Sequence, residues 1–492
     1  MRQGFLLGIL ATLSDRRWMA AIFLACALPT GLCLALLTPI GQVADEPAHI
    51  ARAAGLLHGQ IMGQRALVQD PADHQGVLTA GTMVNSALVP ASLAELPPHL
   101  RTPLSRKRVE AARAIRWSPA RQMDGAPNTV QYFPALYVPG TIGIAVARWC
   151  GASPLQALYA GRIAMLLSYL ALGAAAVALA AFGQGLLFAL LNLPMALSLG
   201  ASFNQDGQLI AASALTGALL TLDPRLHPRL RFLALPIFAL VLMSKPPYGL
   251  LLFAALLPLA RPGLLQRAAV ILLFALPPVI WVALMMHDAQ VPYHRTAYLP
   301  GPLWPGDPHQ IFHGTDPAAS LRVLLAKPSR FIHLPVQFLI IDGKEIIREG
   351  VGILGWLSVS LGQWAYDGWY IALGMAALGV LASGGGAAVP WRAADALLVL
   401  ALVILSVFAV EIAIYLSWDD VGAATISGPQ GRYYLLFIPF LILALPRLAQ
   451  RQGTDNPAAG STETLLAMPA IVMALIDTGY LPWLIVHKFY LR

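Results

Sequence analysis

The stretch WMAAIFLACALPTGLCLALLTPIGQVADEPAH, residues 18–49, decides the fold. Its apolar part, Trp18 to Ile40, is long enough to cross a bilayer core of ~30 Å. The acidic pair Asp45 and Glu46 follows shortly after, with His49 close behind. Adjacent carboxylates at a membrane surface do not assist insertion, but they suit proton abstraction, or metal or amine binding, on a lipid-carried substrate. An ordinary helix N-terminus explains the same residues equally well.

The composition is that of an integral membrane protein. Of 492 residues, 58% are hydrophobic and 11% are charged, whereas soluble proteins carry about 25% charged residues. The net charge of +8 comes mainly from arginine, which in a membrane protein indicates topology and contact with anionic head groups rather than nucleic acid. Cys26, Cys33 and Cys150 have no metal-ligand spacing, and no disulfide framework is expected. The first apolar segment lacks a small-residue cleavage site, so we expect it to be retained.

Apolar runs along the chain predict an all-α polytopic protein with about eleven transmembrane helices. After Trp18–Ile40 they lie at 158–182, 185–203, 208–222, 232–244, 249–260, 268–286, 367–383, 394–416, 433–446 and 465–486. We therefore interpret 1–492 as a single membrane domain. It comprises the first span 18–40, a long outer loop 41–157 with interfacial helices, spans two to seven in 158–286, an outer segment 287–366, and the last four spans in 367–486.

Arginine positions predict the orientation of these spans. Arg2, Arg16 and Arg17 place the N-terminus in the cytoplasm by the positive-inside rule. The later clusters fall on that same side only if the apolar run from Phe133 to Trp149 lies in the interface instead of spanning. These clusters are Arg225, Arg229 and Arg231, then Arg261 and Arg267, then Arg392, then Arg447 and Arg451.

The predicted topology gathers the polar motifs on the outer face. Cytoplasmic connections are short and basic, whereas the acidic pair and most other polar clusters lie outside. This asymmetry is typical of a membrane-embedded enzyme with an outward-facing site. The outer motifs are Asp45–Glu46, Asn204–Asp206, Ser244–Tyr248, the segment 287–366 and Gly428–Tyr434.

The segment from Asp45 to Gly59 is predicted to form a helix on the membrane surface. Asp45, His49 and Arg52 are spaced i, i+4, i+7 and so share one face. A base, an imidazole and a phosphate-seeking guanidinium would then point the same way. The alternative is an exposed helix with one ion pair along its surface.

Asp206 is the second acidic candidate, at the outer end of a span. Its carboxylate would hold a substrate hydroxyl or share a cation with Asp45 and Glu46; otherwise it caps the helix that begins near Gln208. No cofactor is certain, and a divalent cation, Mg or Mn, is the candidate. The histidines of 287–366 are irregularly spaced, which argues against a histidine-ligated metal.

Two cationic motifs suit a lipid-linked phosphate. Lys245 precedes two prolines and Tyr248 at a span boundary, which holds the ammonium and the phenol at one depth; snorkelling to the head groups is the alternative for this lysine. Arg432 lies outside, against the charge trend, and so requires an anionic partner. Its neighbour Tyr433 is equally typical of an interfacial aromatic belt.

The order of these motifs resembles a bacterial membrane family, domain of unknown function 2142. More distantly, the layout is similar to the GT-C superfamily of polyprenyl-phosphate-sugar glycosyltransferases, whose members carry an acidic residue in the first outer loop and often a second in a later one. The motifs that carry the resemblance are Asp45–His49, Tyr132–Tyr137, Asn204–Asp206, Lys245–Tyr248 and Gln430–Tyr433.

The resemblance implies a role for each matched residue. Three carboxylates would be catalytic: Asp45 as the base, Glu46 as its neighbour and Asp206 as the second acid. Lys245 and Arg432 are candidates for the donor phosphate, chosen more on their chemistry than on the motif. The other candidate substrate-binding residues are His49, Arg52, Tyr132, Tyr137, Asn204, Tyr248, Gln430 and Tyr433.

The expected function is sugar transfer from a polyprenyl-phosphate donor to an envelope glycan, lipid or protein acceptor. It would take place on the periplasmic face of the bacterial inner membrane. No nucleotide-binding motif is present, so a cytosolic nucleotide donor is not expected. The alternatives are a transporter or flippase for lipid-linked glycans, to which Glu411 and Asp477 inside spans would belong, and a non-catalytic subunit of an envelope assembly.

Overall fold

The computed structural model describes residues 16–69, 76–96, 103–383, 392–448 and 459–491, which form a mainly helical protein. The helices are α1 (Arg16–Leu37), α2 (Glu46–Leu56), α3 (Leu88–Leu93), α4 (Arg106–Ala114), α5 (Val138–Trp149), α6 (Pro154–Leu179), α7 (Gln184–Asn192), α8 (Pro194–Gly200), α9 (Asp206–Thr221), α10 (Pro228–Phe232), α11 (Ala234–Leu242), α12 (Leu264–Asp288), α13 (Pro317–Ala326), α14 (Arg330–Gly352), α15 (Gln363–Ser383), α16 (Ala393–Ser417), α17 (Gly431–Tyr434), α18 (Ile438–Leu448) and α19 (Ala459–Tyr490). Three 3₁₀ segments cover Pro134–Tyr137, Pro246–Leu256 and Leu435–Phe437. The strands are β1 (Gln64–Gln69), β2 (Gly76–Asn85), β3 (Arg121–Gly125), β4 (His294–Tyr298), β5 (Phe312–Gly314), β6 (Ile353–Leu354) and β7 (Val359–Ser360).

Six helices of the described chain are long and apolar enough to cross a membrane. Each coincides with a predicted span, and less than half of each is buried inside the protein. Their exposed residues are largely apolar, as a lipid-facing surface requires. The six are Trp18–Leu37, Pro154–Leu179, Leu264–Asp288, Gln363–Ala382, Ala393–Ser417 and Thr462–Tyr490.

The centre of the bundle consists of shorter helices that the long ones surround. Every residue of α8 and α9 is buried, and α7 packs against α1, α15 and α19. A helix that is apolar all round belongs in a protein interior, where its length need not match the bilayer.

The number of spans, eleven, stays a prediction. The other five apolar runs form helices of at most 16 residues or are broken into pieces, as at Pro194 between α7 and α8. A further break occurs where Pro246–Leu256 adopts a 3₁₀ helix instead of an α-helix. A crossing needs about 20 helical residues. The apolar composition of these five runs therefore does not by itself show that each one crosses the membrane.

The apolar run 133–149 forms the 3₁₀ turn Pro134–Tyr137 followed by α5, which has only 12 residues. It is therefore too short to span. The run contains glycine because α5 crosses α6 at very close range. A Cβ atom on Gly143 would lie 2.6 Å from the carbonyl oxygen of Ala160, so only glycine permits this packing.

The long loop after the first candidate span contains a β-sheet, which corrects the all-α prediction. Strands β1, β2 and β3 form an antiparallel sheet in which Gln64 pairs with Gly81 and Gly81 with Gly125. The second half of β2 is buried against α2, and the Thr82 hydroxyl donates to the carbonyl of Ala51. Hydropathy did not reveal these strands, because one exposed and one buried end give no single alternating pattern.

A buried ion pair joins α1, α2 and α6. Arg162 and Glu46 are both fully buried, with Nη2 and Oε2 2.5 Å apart. The guanidinium makes five hydrogen bonds, two to Glu46 and three to backbone carbonyls at the end of α1. Glu46 in turn accepts the amides of Gly41 and Phe203. The pair therefore fixes how the chain leaves the first span.

Replacing Arg162 with methionine should destabilise the protein by about 3–5 kcal/mol, because it leaves a buried carboxylate and several carbonyls without donors. Thermal unfolding of the purified protein in detergent would measure this loss. Arg106→Ala is the matched control, because its pair with Glu110 is exposed and worth at most about 1 kcal/mol. Equal melting temperatures for the two variants would contradict the structural role of Arg162.

Candidate functional site

The loop before α2 holds Asp45 in an unusual backbone conformation. Asp45 has φ 61°, and within the described chain only Leu357 shares a positive φ among non-glycine residues. Neighbouring bonds fix this geometry, because Ala44 donates its amide to the Gly355 carbonyl and accepts the Asn204 side-chain amide. Aspartate tolerates the left-handed region better than most residues. The Asp45 side chain makes no capping hydrogen bond to α2, so the helix-cap alternative does not describe it.

Instead, Asp45 belongs to an ionic cluster of four side chains: Asp45, Asp206, Lys245 and Arg432. Arg432 Nη2 lies 2.6 Å from Asp45 Oδ2, and Arg432 Nε lies 3.0 Å from Asp206 Oδ2. Lys245 Nζ lies 3.3 Å from Asp206 Oδ1. The two carboxylates and two cations come from four separate segments of the chain. Lys245 and Arg432 therefore lie on the same carboxylate, that of Asp206, and their role as phosphate ligands stays a prediction.

Breaks between helices place these residues. Asp206 is the first residue of α9, where a carboxylate also suits the positive end of the helix dipole. No side chain caps the start of this helix. The backbone amide of Asp206 donates a hydrogen bond to Asn204 Oδ1 at 2.9 Å. Lys245 lies in the extended break between α11 and the 3₁₀ helix, and Arg432 lies in the short helix α17. Side chains at such breaks can converge, whereas those within one long helix diverge around its axis.

The four side chains differ in exposure. Arg432 and Asp206 are each 4% exposed, Lys245 is 16% exposed and Asp45 is 31% exposed. Asp45 is thus the member that a molecule from outside meets first. Lys245 is too buried to be described as snorkelling.

Two tyrosines surround the lysine of the ionic cluster. Lys245 Nζ lies 4.4 Å from the ring centroid of Tyr433 and 5.4 Å from that of Tyr132. Both distances are within the range of cation–π attraction. Tyr433 and Tyr132 therefore lie beside the ionic cluster, and their role in substrate binding stays a prediction.

The charges of the cluster reinforce one another. Burial alone would raise the pKa of Asp206, but the adjacent Lys245 and Arg432 hold it below its ordinary value. Burial likewise opposes the charge on Lys245, yet the Asp206 carboxylate raises the pKa of this lysine above its usual range. Both groups stay charged at neutral pH.

Polar side chains next to the cluster in sequence have buried atoms without hydrogen-bond partners among the described residues. They are Gln42, Gln205, Ser244 and Gln430, and each lies within three positions of a cluster member. Buried polar atoms in native proteins nearly always have a partner, whether protein, water or ligand. Within the cluster itself, Arg432 Nε also makes no hydrogen bond, although it lies 3.0 Å from Asp206 Oδ2.

Several predicted site residues have other partners. The Glu46 carboxylate is enclosed by Arg162, which does not fit the catalytic role that we predicted. Arg52 is also wrong as a phosphate ligand, because its buried guanidinium donates to the carbonyls of Tyr132, Gln60 and Ile61. Arg52 therefore does not share a surface with Asp45, despite the helical spacing.

Three further predicted residues use their side chains in hydrogen bonds within the protein. Asn204 bonds the Ala44 carbonyl and the Asp206 amide. The Tyr248 hydroxyl donates to the carbonyl of Tyr433 at 2.7 Å. The Tyr137 hydroxyl lies 2.6 Å from His49 Nδ1 in the protein interior.

Sequence reasoning missed two residues of this region. Glu349 on α14 accepts the Gly431 amide at 2.8 Å, next to Arg432, and burial raises the pKa of this carboxyl. No sequence signal distinguishes it from other acidic residues of an amphipathic helix. Arg162 could have been found, because an arginine inside an apolar span requires an internal partner.

The comparison with known families supports the sequence resemblance. The family model described as predicted membrane protein DUF2142 matches residues 28–444. The chain belongs to the DUF2142 family. The matched range contains all five motifs and the whole ionic cluster. No curated protein and no solved structure matches the chain.

The described residues of this DUF2142 protein were compared with the ligand sets that metal ions require. They contain no group of three or more histidine, cysteine, aspartate or glutamate side chains arranged to hold one. Asp45 and Asp206 instead share the guanidinium of Arg432. The protein's own cations therefore lie where a bridging Mg or Mn was expected.

The imidazole of His49 should make the stability of this DUF2142 protein sensitive to acid. Burial lowers its pKa from 6.5 to about 4, against the pull of Asp206 and Asp45. Above pH 6.5 the native and unfolded states are both neutral at this position. As the pH falls from about 6.5 to about 4, only the unfolded chain binds the proton, so the free energy of unfolding drops by up to about 3 kcal/mol.

Melting temperatures between pH 7 and pH 4.5 would measure this effect. His49→Gln should flatten the acid slope, since glutamine can retain a hydrogen bond to Tyr137 without titrating. His309→Gln, which changes an exposed histidine, should leave the slope intact. Parallel slopes for His49→Gln and the wild type would rule out His49 as the source.

Proposed function

We propose that this protein is a membrane glycosyltransferase that uses a polyprenyl-phosphate-linked sugar on the outer face of the bacterial inner membrane. The ionic cluster is the observation that carries the proposal. It combines an accessible carboxylate with two buried cations, and these are the groups that deprotonation of an acceptor and stabilisation of a departing phosphate require. The motif resemblance supplies the donor class, and the sugar and the acceptor, whether glycan, lipid or protein, stay open.

Asp45 is the proposed general base. It is the most exposed member of the cluster, and its bond to Arg432 holds its carboxylate in one orientation. The acceptor hydroxyl would lose its proton to Asp45 as its oxygen bonds to the anomeric carbon. The bond from that carbon to the phosphate oxygen would break, and polyprenyl phosphate would leave with the bonding electrons.

Lys245 and Arg432 are the proposed ligands of that phosphate. Each contacts a different oxygen of Asp206, so this carboxylate holds the two cations beside each other. The geometry therefore favours a positioning role for Asp206 over the directly catalytic role that we predicted from the motif. The donor phosphate would share the buried guanidinium of Arg432 with Asp45, which contacts its Nη2 atom.

The transporter alternative rests on two buried carboxylates within candidate spans. Glu411 Oε1 accepts from the Tyr434 hydroxyl at 2.9 Å, and Asp477 Oδ2 accepts from the Trp369 indole at 3.0 Å. The second oxygen of each has no partner among the described residues. A flippase of this kind would lose activity in Glu411→Gln or Asp477→Asn, whereas the transferase should tolerate both changes better than changes in the ionic cluster.

Asp45→Asn should separate chemistry from binding. Turnover with polyprenyl-phosphate sugars should fall by roughly 10²–10⁴-fold, because asparagine cannot accept the proton. Polyprenyl-phosphate affinity should be retained or increased, because Arg432 loses its competing carboxylate. Asp420→Asn, outside the cluster, is the control. Turnover within a few-fold of wild type would remove Asp45 from the mechanism.

Arg432 and Lys245 should contribute jointly to phosphate binding. Each single alanine change should weaken polyprenyl-phosphate affinity by roughly ten- to a hundred-fold, from about 1.5–3 kcal/mol per charge-assisted hydrogen bond. The double variant should lose less than the sum, because both cations serve one anion and one anchor. Arg432→Lys should stay impaired, since an ammonium cannot reproduce the planar guanidinium.

Equilibrium binding to the purified protein would test this, with Arg295→Ala as the control for the loss of an arginine outside the cluster. Strict additivity, or unchanged affinity in both single variants, would mean that Lys245 and Arg432 do not bind one phosphate.

A further inference from the structure

A separate cavity lies behind the loop that carries Asp45. Its volume is about 250 Å³, and it shares no lining residue with the ionic cluster. It forms where α1 ends, α6 begins and α19 ends, so it lies at the ends of three candidate spans. Its lining includes Leu36, Glu95, Arg113, Leu155, Tyr159 and Tyr490.

Glu95 is a buried carboxylate without a cation. It is only 3% exposed, and Oε2 accepts the Ile40 amide at 2.6 Å and the Tyr159 hydroxyl at 2.8 Å. Among the described residues it has no ion-pair partner. Arg162 interacts electrostatically with Glu95, but the guanidinium of Arg162 donates all its hydrogen bonds to Glu46 and to backbone carbonyls. Buried charges in proteins are normally paired.

The rest of the lining limits what could supply the missing cation. Arg113 is exposed on α4, and Leu36 and Tyr490 are partly exposed at the ends of α1 and α19. The cavity thus offers a negative charge inside, a positive charge on an exposed residue and apolar walls that reach the surface of two candidate spans. This distribution matches a zwitterion attached to an apolar chain.

We propose that the cavity binds an ethanolamine-type phosphate head group, with its primary ammonium on Glu95 and its phosphate against Arg113. A primary ammonium has three N–H donors for carboxylate and hydroxyl oxygens, whereas a trimethylated choline ammonium has none. The site should therefore distinguish phosphatidylethanolamine from phosphatidylcholine, two lipids that share the same phosphate and acyl chains. The inference is independent of the proposed transferase function.

The position of the cavity links it to the site loop. Glu95 holds the amide of Ile40, while Glu46 holds that of the next residue, Gly41. A ligand on Glu95 would thus contact one of the two carboxylates that anchor the loop before Asp45.

Native mass spectrometry of the detergent-purified protein, titrated with each lipid, would test the proposal. The wild type should bind phosphatidylethanolamine at least about ten-fold more tightly than phosphatidylcholine. Glu95→Gln removes the charge but keeps an oxygen for Ile40 and Tyr159, and it should abolish this preference. Arg113→Gln should weaken both lipids, since it acts on their shared phosphate. Glu110→Gln, on the same helix but paired with Arg106 at the surface, is the matched control.

A wild type without preference between the two lipids, or an unchanged preference in Glu95→Gln, would overturn the proposal. If Glu95→Gln did not fold, an unchanged lipid affinity in the exposed Arg113→Gln variant would overturn it equally well. Soluble glycerophosphoethanolamine distinguishes the source of the head group: competition as strong as that of the lipid would show a free phosphoamine site and refute the role of the apolar walls.

Discussion

The enclosure of Arg162 is the constraint on which the rest of the site depends. A guanidinium inside an apolar helix must satisfy its donors within the protein, because lipid offers no acceptors. It does so with carbonyls of the last turn of α1 and of the residues that follow it, and with the carboxylate that opens α2. The turn from the first span into the first loop is thereby closed on itself. Only because this turn is fixed can Asp45 hold a left-handed conformation and reach Arg432, far along the chain.

Adjacent carboxylates acquire opposite roles in this arrangement. Asp45 precedes α2 and has a left-handed backbone conformation, whereas Glu46 is the first residue of the helix. Glu46 therefore points into the bundle towards Arg162, while Asp45 points to the ionic cluster. The first stabilises the turn, and the second remains partly exposed. The pair is a structural carboxylate beside a chemically available one, not a catalytic dyad.

The sequence predicted the features that depend on local composition and missed those that depend on distant partners. Six long apolar runs became long helices, and the motifs at helix breaks contributed Asp45, Asp206, Lys245 and Arg432 to one cluster. Helical spacing failed for Arg52, because carbonyls from the Ile61 and Tyr132 segments draw its guanidinium away. The pairing of Glu46 with Arg162 could not be predicted either, since Arg162 lies more than a hundred residues along the chain. The short central helices could not be separated from true spans by hydropathy, because a buried interior is as apolar as lipid.

The balance of charge in the cluster suits the proposed transfer. Two carboxylates and two cations sum to zero before the donor binds. A polyprenyl-phosphate sugar is a diester with one negative charge, and the departing monoester carries a second. During the step Asp45 would take the acceptor's proton and lose its own charge, so the negative charge that Arg432 must balance moves from Asp45 to the phosphate without changing in total. The guanidinium of Arg432 contacts Asp45 through Nη2 and Asp206 through Nε. It could therefore exchange Asp45 for the phosphate while keeping its contact with Asp206. The low exposure of Arg432 strengthens both contacts, and the two carboxylates that it contacts differ in exposure, with Asp45 accessible and Asp206 buried.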